Sequence, residues 1–330
     1  FINDPFDFVE ELTEGIIKAH GDYYRADKGD LRIIVRQDAP IKGKVAIATG
    51  GGSGHLPVFM GYVGKGLADG ACIGNVFSSP SAGQMKRVTK AIDGGAGVLY
   101  LYGRYQGDMM NFNSAAEESI KNGIRVESVI VSDDVASAPP ERHSERRGVA
   151  GIFFAYKIAG AMANEMASLD EVKRVTQKAV DNTRSLGIAL GPCTIPLVGK
   201  PNFEISDDEM EIGMGIHGEQ GVERVKMRTA DEIAATLVDR VVNDMPFVAG
   251  DEVAVLVNSL GATPLEELYV LYRKIDELLR EKGLVLHRPY VGRYACSMEM
   301  QGMSLSLMKL DDELKRLLDA PADSPFFKQF

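Results

Sequence analysis

The sequence predicts an α/β protein of two domains, each with a mostly parallel or mixed sheet flanked by helices. Three observations carry that expectation. Strand-length apolar runs alternate with segments of helical period. Two of those helical segments are closed by a glycine, the usual helix stop. At 330 residues the chain is also about right for two domains of ordinary size.

Val45-Ala46-Ile47-Ala48 reads as a buried strand, followed by strands at Ala71-Cys72-Ile73, Val98 to Tyr102 and Val129-Ile130-Val131. Helical segments run from Gln84 to Ile92 and from Asn111 to Lys121, ending near Gly94 and Gly123. Strand–helix–strand repetition implies a largely parallel sheet in this half. Gly148 to Met166 reads as a long buried helix, and Ser168 with Glu171 has the spacing of a capping box for the next one. Pro192, Pro196 and Pro201 then mark a loop region, so the expected division is 1–185 and 186–330. In the second half, strands are expected at Met210 to Ile216, Val253 to Asn258, Leu284 to Leu286 and Leu305 to Met308. Helices are expected at Asp231 to Asn243, Pro264 to Lys282 and Asp311 to Leu318.

Composition narrows the function. Hydrophobic residues make up 45% and charged residues 25%, ordinary globular values. The net charge of −10, from 37 Lys+Arg against 47 Asp+Glu, argues against a nucleic-acid partner, which needs a basic stripe. Cys72, Cys193 and Cys296 are far apart with no CxxC pair, so they read as buried thiols in a reducing compartment. The acidic start, Phe1 to Pro5, does not read as a signal peptide, and the longest apolar stretch, Val149 to Ala163, is interrupted by Lys157. A cytoplasmic location without a membrane partner is the expectation.

The most informative segment is Gly50-Gly51-Gly52-Ser53-Gly54-His55, after the first buried strand. Four glycines in five positions allow positive φ and close approach of a ligand to backbone N–H groups, at the strand end where α/β proteins bind ligands. Neither common nucleotide motif fits. A G-x-G-x-x-G fingerprint from Gly50 would need glycine where His55 stands, and a Walker A loop would need Ser or Thr after Lys65, where Gly66 stands. The missing dinucleotide loop excludes a nicotinamide oxidoreductase, and the chain is expected to hold no cofactor and no metal itself.

Of the five histidines, His55 and His217 share a context: each ends a strand-like run beside glycine, and the glycine flanks of His217 leave room around its imidazole. Asp108, in Gln106-Gly107-Asp108-Met109-Met110-Asn111-Phe112, follows the strand at Val98 to Tyr102. It suits either an N-cap for the next helix or a base for a substrate hydroxyl. Asp133-Asp134 reads as a structural turn, because no further metal ligands accompany it.

Taken together these residues resemble the dihydroxyacetone kinase sugar-binding subunits. The resemblance runs in order over nearly the whole chain. It is carried by Gly50 to His55, Gly61-Tyr62-Val63-Gly64-Lys65-Gly66, Gly107-Asp108 with Asn111-Phe112, and Arg146-Arg147-Gly148-Val149-Ala150-Gly151. It continues through Gly199-Lys200-Pro201, Gly215-Ile216-His217-Gly218-Glu219, Leu310 to Leu314 and Asp319-Ala320-Pro321. The resemblance implies that His217 bonds to the ketone carbon of dihydroxyacetone as a hemiaminal. It implies that His55 is acid and base on the carbonyl oxygen, that Asp108 takes the proton of the phosphorylated hydroxyl, and that the backbone around Gly52, Ser53 and Gly54 holds the sugar. It also implies a homodimer, with nucleotide and magnesium on a small helical partner subunit or a fused domain that would begin where this chain stops.

The chain departs from the family at Leu56 and at Val58-Phe59, and Gly103-Arg104 stand where a lysine and an amide are usual. Gly103 would widen the sugar pocket, so a four-carbon ketose such as erythrulose becomes an alternative substrate. A non-catalytic ketose-binding co-regulator is a further alternative, which retention of Asp108 disfavours.

Overall fold

A computed structural model describes residues 1–330. In chain order the elements are α1 (Phe8–Ala19), β1 (Tyr24–Asp27), β2 (Asp30–Arg36), β3 (Ala46–Ser53), β4 (Gly70–Val76), α2 (Ala82–Ile92), β5 (Val98–Gly103), α3 (Gln106–Lys121), β6 (Val126–Val131), α4 (Ile152–Asn164) and α5 (Leu169–Asp181). They continue with β7 (Thr183–Gly191), β8 (Thr194–Ile195), β9 (Lys200–Pro201), β10 (Glu209–Ile212), β11 (Glu223–Lys226), α6 (Ala230–Asp244), β12 (Glu252–Ser259), α7 (Leu265–Glu281), β13 (Val285–Gly292), β14 (Gln301–Leu310), α8 (Asp312–Asp319), β15 (Ala322–Ser324) and β16 (Phe327–Gln329).

These elements form two compact units. The first comprises residues 1–130, 154–178 and 316–330, the second 131–153 and 179–315. The units are interleaved in sequence, whereas a single cut between 185 and 186 is what the proline cluster suggests. The reason is visible inside the first unit. The C-terminal tail bonds back to the 60s loop, with Lys65 N–H on the Asp323 carbonyl at 2.9 Å and Ser324 Oγ on the Gly61 carbonyl at 2.8 Å.

The sheet of the first unit has the order β1-β2-β4-β3-β5-β6. Its centre is parallel, β3 pairing with β4 and β5, while β2 runs antiparallel to β1 and β4. Alternation along β3 sorts side chains to two faces. Ala46 and Ala48 join Val35, Val88, Tyr100 and Phe112 in a core under α2 and α3. Thr49 points to the opposite face, where its hydroxyl meets the Tyr156 hydroxyl of α4 at 2.7 Å. α2 starts on a complete capping box, Ser81 with Gln84. α4 is apolar on nearly all sides and buried accordingly. Its one cation, Lys157, is fully buried, donates to the Ala320 carbonyl and lies 6.0 Å from the Phe327 ring centre. The sequence does not suggest the β1–β2 hairpin or α1.

The second sheet has the order β11-β10-β7-β14-β12-β13. Only β12 and β13 pair in parallel, so it is mainly antiparallel. Leu186, Met210, Val255, Leu305 and their neighbours pack one face against Leu237 and Val241 of α6 and Leu271 and Ile275 of α7. Each such side chain contributes about 1.5–3 kcal/mol by leaving water. The strand expected at Met210 to Ile216 ends at Ile212, because Gly213 takes a φ of 82° and turns the chain out of the sheet. β7 falls where the domain boundary was expected. Cys72, Cys193 and Cys296 are buried free thiols.

Gly160 of α4 lies close against the backbone of the 66–67 loop. A Cβ there would lie 2.3 Å from the Gly66 carbonyl and the Leu67 nitrogen, both backbone atoms. Gly160→Ala is therefore expected to destabilise the protein by about 1–3 kcal/mol, the usual cost of overpacking. The check is a lower urea midpoint with an unchanged m-value; an unaltered midpoint would mean that the helix shifts freely.

Candidate active site

In the first unit the glycine segment is not a loop. Gly50, Gly51, Gly52 and Ser53 are the last four residues of β3, and they pair with Cys72, Ile73, Gly74 and Val76 of β4. Only Gly54 has a positive φ, 102°. The glycines answer a need for clearance instead. A Cβ on Gly50 would meet the Cys72 carbonyl at 2.6 Å, one on Gly51 the Phe59 ring at 2.1 Å, and one on Gly52 the Ser78 nitrogen at 2.4 Å. The Ser53 hydroxyl at the end of this strand is buried without a hydrogen-bond partner in the chain, the kind of atom a ligand satisfies.

His55 follows and is buried, 2% exposed. Its ring stacks on Phe77 with centroids 4.9 Å apart and meets Phe59 edge-on at 6.3 Å. Phe59 and Phe77 both hold positive φ, at 69° and 57°, conformations that bulky side chains rarely accept. Glycine beside His55 thus does not leave its imidazole open, because two aromatic rings pack against it.

Asp108 is the third residue of α3 and 8% exposed. It does not cap the helix, since Tyr105 occupies the cap position. A carboxylate in a first helical turn is favoured by the exposed N–H groups there. The α3 start and the glycine strand share the 77–80 loop as a neighbour. Asn111 Nδ2 donates to Ser79 Oγ at 3.1 Å, while Gly52 abuts Phe77 and Ser78. The negative charge of Asp108 is felt across the strand ends. Burial first, and then Asp108, pushes the Cys72 thiol up, and burial with a contribution from Asp108 pushes the Tyr102 phenol up to about 12. Gly103 is the last, buried residue of β5. Gly52, Ser53, Gly54, His55, Gly103 and Asp108 all belong to the first unit, and His217 to the second.

His217 lies in the loop between β10 and β11 rather than at a strand end, with a side chain 22% exposed. Its ring Nδ1 is 2.9 Å from Glu219 Oε1, and its backbone N–H donates to Glu219 Oε2 at 3.0 Å. Asn202 Nδ2 donates to the His217 carbonyl at 3.0 Å. A carboxylate accepting from Nδ1–H leaves the lone pair on Nε2. Sequence reasoning assigned no role to Glu219 or Asn202. The acid two residues after a glycine-flanked histidine was the available signal for Glu219, whereas nothing local marks Asn202.

Asp133 is a structural hub, as its turn-like setting suggests. Its carboxylate accepts from the Val149 and Gly151 N–H groups at 2.8 Å each, and from the Ser185 hydroxyl. No group of three or more His, Cys, Asp or Glu could hold a metal ion, and no helix is long and apolar enough to cross a membrane.

Two α/β units with mixed sheets, a glycine strand closed by a buried histidine and a carboxylate-held histidine on a glycine-flanked loop define a known class. The chain belongs to the Dak1 domain family, whose model matches residues 14–326. Within it the chain is a member of the dihydroxyacetone kinase sugar-binding subunit group. It is 47% identical to the dihydroxyacetone-binding subunit DhaK of the PTS-dependent dihydroxyacetone kinase 2 of Listeria innocua, covering 99% of this chain and 98% of that one. It is 44% identical to a D-erythrulose kinase of Mycolicibacterium smegmatis over 99% of this chain and 56% of the relative. The crystal structure of the dihydroxyacetone kinase of C. freundii superposes with a TM-score of 0.90 at 30% identity, over all of this chain and 60% of that one.

The Glu219 carboxyl allows a test of its bond to His217. Burial pushes it up, but the His217 ring N–H, the charge of that ring and the His217 backbone N–H pull it further down, to about 2 from an ordinary 4.5. A carboxyl lowered by folding adds stability that is fully present above its unfolded value and is lost as the pH falls through the folded one. The melting temperature of Glu219→Gln is expected to lie below that of the wild type above pH 4.5, with the gap closing as the pH falls from 4.5 towards about 2. A gap that is constant across this window would mean that the charge of Glu219 contributes nothing.

Proposed function

We propose that the chain is the substrate-binding part of a ketose kinase, holding dihydroxyacetone or a related short ketose as a hemiaminal on His217. The Nδ1–Glu219 contact is the observation that carries this reading, because it leaves Nε2 as the nucleophile. In this reading the Nε2 lone pair forms the bond to the ketone carbon, the π pair of the carbonyl moves to oxygen, and that oxygen takes a proton from His55. The ring becomes an imidazolium, whose charge the Glu219 carboxylate offsets. No water is lost to an imine, because the bonded ring nitrogen carries no second removable proton.

A three-carbon sugar offers little area for noncovalent affinity. A bond to the carbonyl supplies affinity and rejects glycerol, which has none. Asp108 takes the proton of the reacting hydroxyl as it attacks phosphorus, a general-base role. Positioning and charge stabilisation make up most of phosphoryl-transfer catalysis, and in this reading the nucleotide and magnesium are held by a helical partner subunit or domain. The subunit is a homodimer located in the cytoplasm in this reading. Both a dihydroxyacetone kinase subunit and an erythrulose kinase stand among the relatives, so in this reading a four-carbon ketose is an alternative substrate, with Gly103 lacking a side chain beside it.

With ketoses labelled at the carbonyl carbon, the resonance is expected to move to the saturated-carbon region on binding, and His217→Ala abolishes the shift. Titrating dihydroxyacetone and both erythruloses ranks the substrates. A resonance that stays trigonal at saturation sinks the covalent reading.

Asp108→Asn is expected to keep the labelled-ketose shift and to lower transfer by about a hundredfold to ten-thousandfold when the nucleotide-binding partner and ATP are supplied. The loss of helix-terminal charge costs about 1 kcal/mol or less, so the melting temperature stays close to wild type. Unchanged turnover in Asp108→Asn would remove its role as base, whereas a wild-type chain that binds the ketose but shows no turnover with that partner would favour a co-regulator that only binds the sugar.

A further inference from the structure

We propose that Arg147 is a positioning residue for His217, acting through Glu219. The inference rests on the reading of His217 as the nucleophile and goes beyond it, because nothing in that reading uses the Arg146-Arg147-Gly148-Val149-Ala150-Gly151 segment. Every contact in the argument lies within the second unit.

Arg147 has one side fixed. Its Nε and Nη2 lie 2.9 and 2.8 Å from Asp134 Oδ2, and Nη2 also donates to the Gly213 carbonyl at 3.0 Å. Asp134 is held in turn, its Oδ1 accepting from the Ala136 N–H at 3.0 Å and its N–H donating to the Arg147 carbonyl at 3.1 Å. Burial pushes the Asp134 carboxyl up to about 6 against the pull of Arg147 and of the Ala136 N–H, so the guanidinium is one of the groups that oppose its neutralisation. The remaining nitrogen, Nη1, stands 4.0 Å from Glu219 Oε2, the oxygen that accepts from the His217 backbone N–H. The guanidinium thus ties the first residue of the β10–β11 loop to the carboxylate that orients the imidazole. Its planar fork suits it to several acceptors at fixed angles, which a lysine cannot match.

The loop is cut to fit this arrangement. A Cβ on Gly215 would fall 2.0 Å from Glu219 Oε2 and 2.6 Å from Arg147 Nη1. The loop folds back on itself, with Gly215 N–H on the Glu219 carbonyl at 2.9 Å and Gly218 N–H on the Gly215 carbonyl at 3.0 Å. The neighbouring Arg146 has a different task. It is fully buried, forks onto both oxygens of Asp244 at 2.7 and 2.6 Å, and donates Nε to the Ala138 carbonyl at 2.7 Å. The two adjacent arginines therefore divide into one that anchors the segment to α6 and one that reaches the loop.

The test uses the full chain and carbonyl-labelled dihydroxyacetone. Affinity is measured by calorimetry, and the His217 tautomer by nitrogen-15 spectra, for wild type, Arg147→Met, Gly215→Ala, Glu219→Gln and the double variant Arg147→Met/Glu219→Gln. Arg147→Met and Gly215→Ala are expected to weaken binding by about tenfold or more, as loss of an outer partner does at comparable sites. The His217 signals should move from the pattern of a protonated Nδ1 towards a mixture of tautomers. The double variant should bind no worse than Glu219→Gln alone, since Arg147 acts through that carboxylate. Gly215→Ala leaves Arg147 and Asp134 in the chain and crowds the Glu219–Arg147 contact alone, so it remains informative if Arg147→Met does not fold. Wild-type affinity in Gly215→Ala, or additive losses in the double variant, would overturn the proposal. A wild-type resonance that stays trigonal at saturation would overturn the covalent reading instead, and the nitrogen-15 tautomer shift would still decide on Arg147.

Discussion

Backbone clearance at glycine is the constraint on which both units depend. In the first unit β3 can lie against β4, the Phe59 ring and the 77–78 turn only because Gly50, Gly51 and Gly52 present no Cβ. Gly160 lets α4 rest on the backbone of Gly66 and Leu67. The second unit uses the same device around charge. Gly151 admits the Asp133 carboxylate, whose Oδ2 would stand 2.5 Å from a Cβ there, and Gly215 admits both Glu219 and Arg147. In each case a backbone, an aromatic ring or a charged group occupies the space of a side chain. A protein interior tolerates little added volume, so these contacts set where the strand ends and loops stand.

Buried charge is the second theme, and it is costly unless every partner is present. Asp69 meets Arg36 at 2.8 Å and Lys44 at 2.7 Å, with all three side chains about 5% exposed or less. Asp244 is shared by Arg146 and Arg184. Such pairs add little net stability over well-packed apolar groups, but removing one partner strands the other. Their effect here is geometric: Asp133 and Arg146 fix the ends of a segment rich in glycine and small residues that apolar packing alone would hold loosely.

How legible this was in the sequence depended on whether a local pattern matched the tertiary cause. β12, α6 and α7 were legible because their alternation or helical period is strong and their burial follows it. β7 was not, because Thr183, Arg184, Ser185 and Gly187 break the apolar run and three prolines follow closely. Its place in the centre of the sheet comes from pairing with β14 and β10. The hairpin of β1 and β2 was missed for a similar reason, Arg25, Arg32 and Arg36 interrupting its apolar positions. The glycine segment was found by composition, but its cause was misread. Composition can flag a run of glycines, yet it cannot tell positive φ from clearance, which requires knowing that Phe59 and Cys72 lie across it. His55 and His217 looked alike beside glycine; long-range packing encloses one and leaves the other part-exposed.

That difference bears on how a small ketose can be held. The cavity beside the His217 loop in its own unit, lined by Met214, Ile216, Asn258 and Ser304, measures about 10 Å³. A volume of that order takes one water molecule, not a sugar. That cavity therefore offers little noncovalent enclosure, and the proposed adduct would instead form on a loop whose histidine has a polar mount. A polar mount suits reversible addition. The imidazole must be neutral to attack and charged afterwards, and a carboxylate on Nδ1 serves both states, as an acceptor for the N–H and then as counter-charge. Glu219 in turn faces a guanidinium at 4.0 Å, so the carboxylate that would favour the proposed adduct itself stands beside a positive charge.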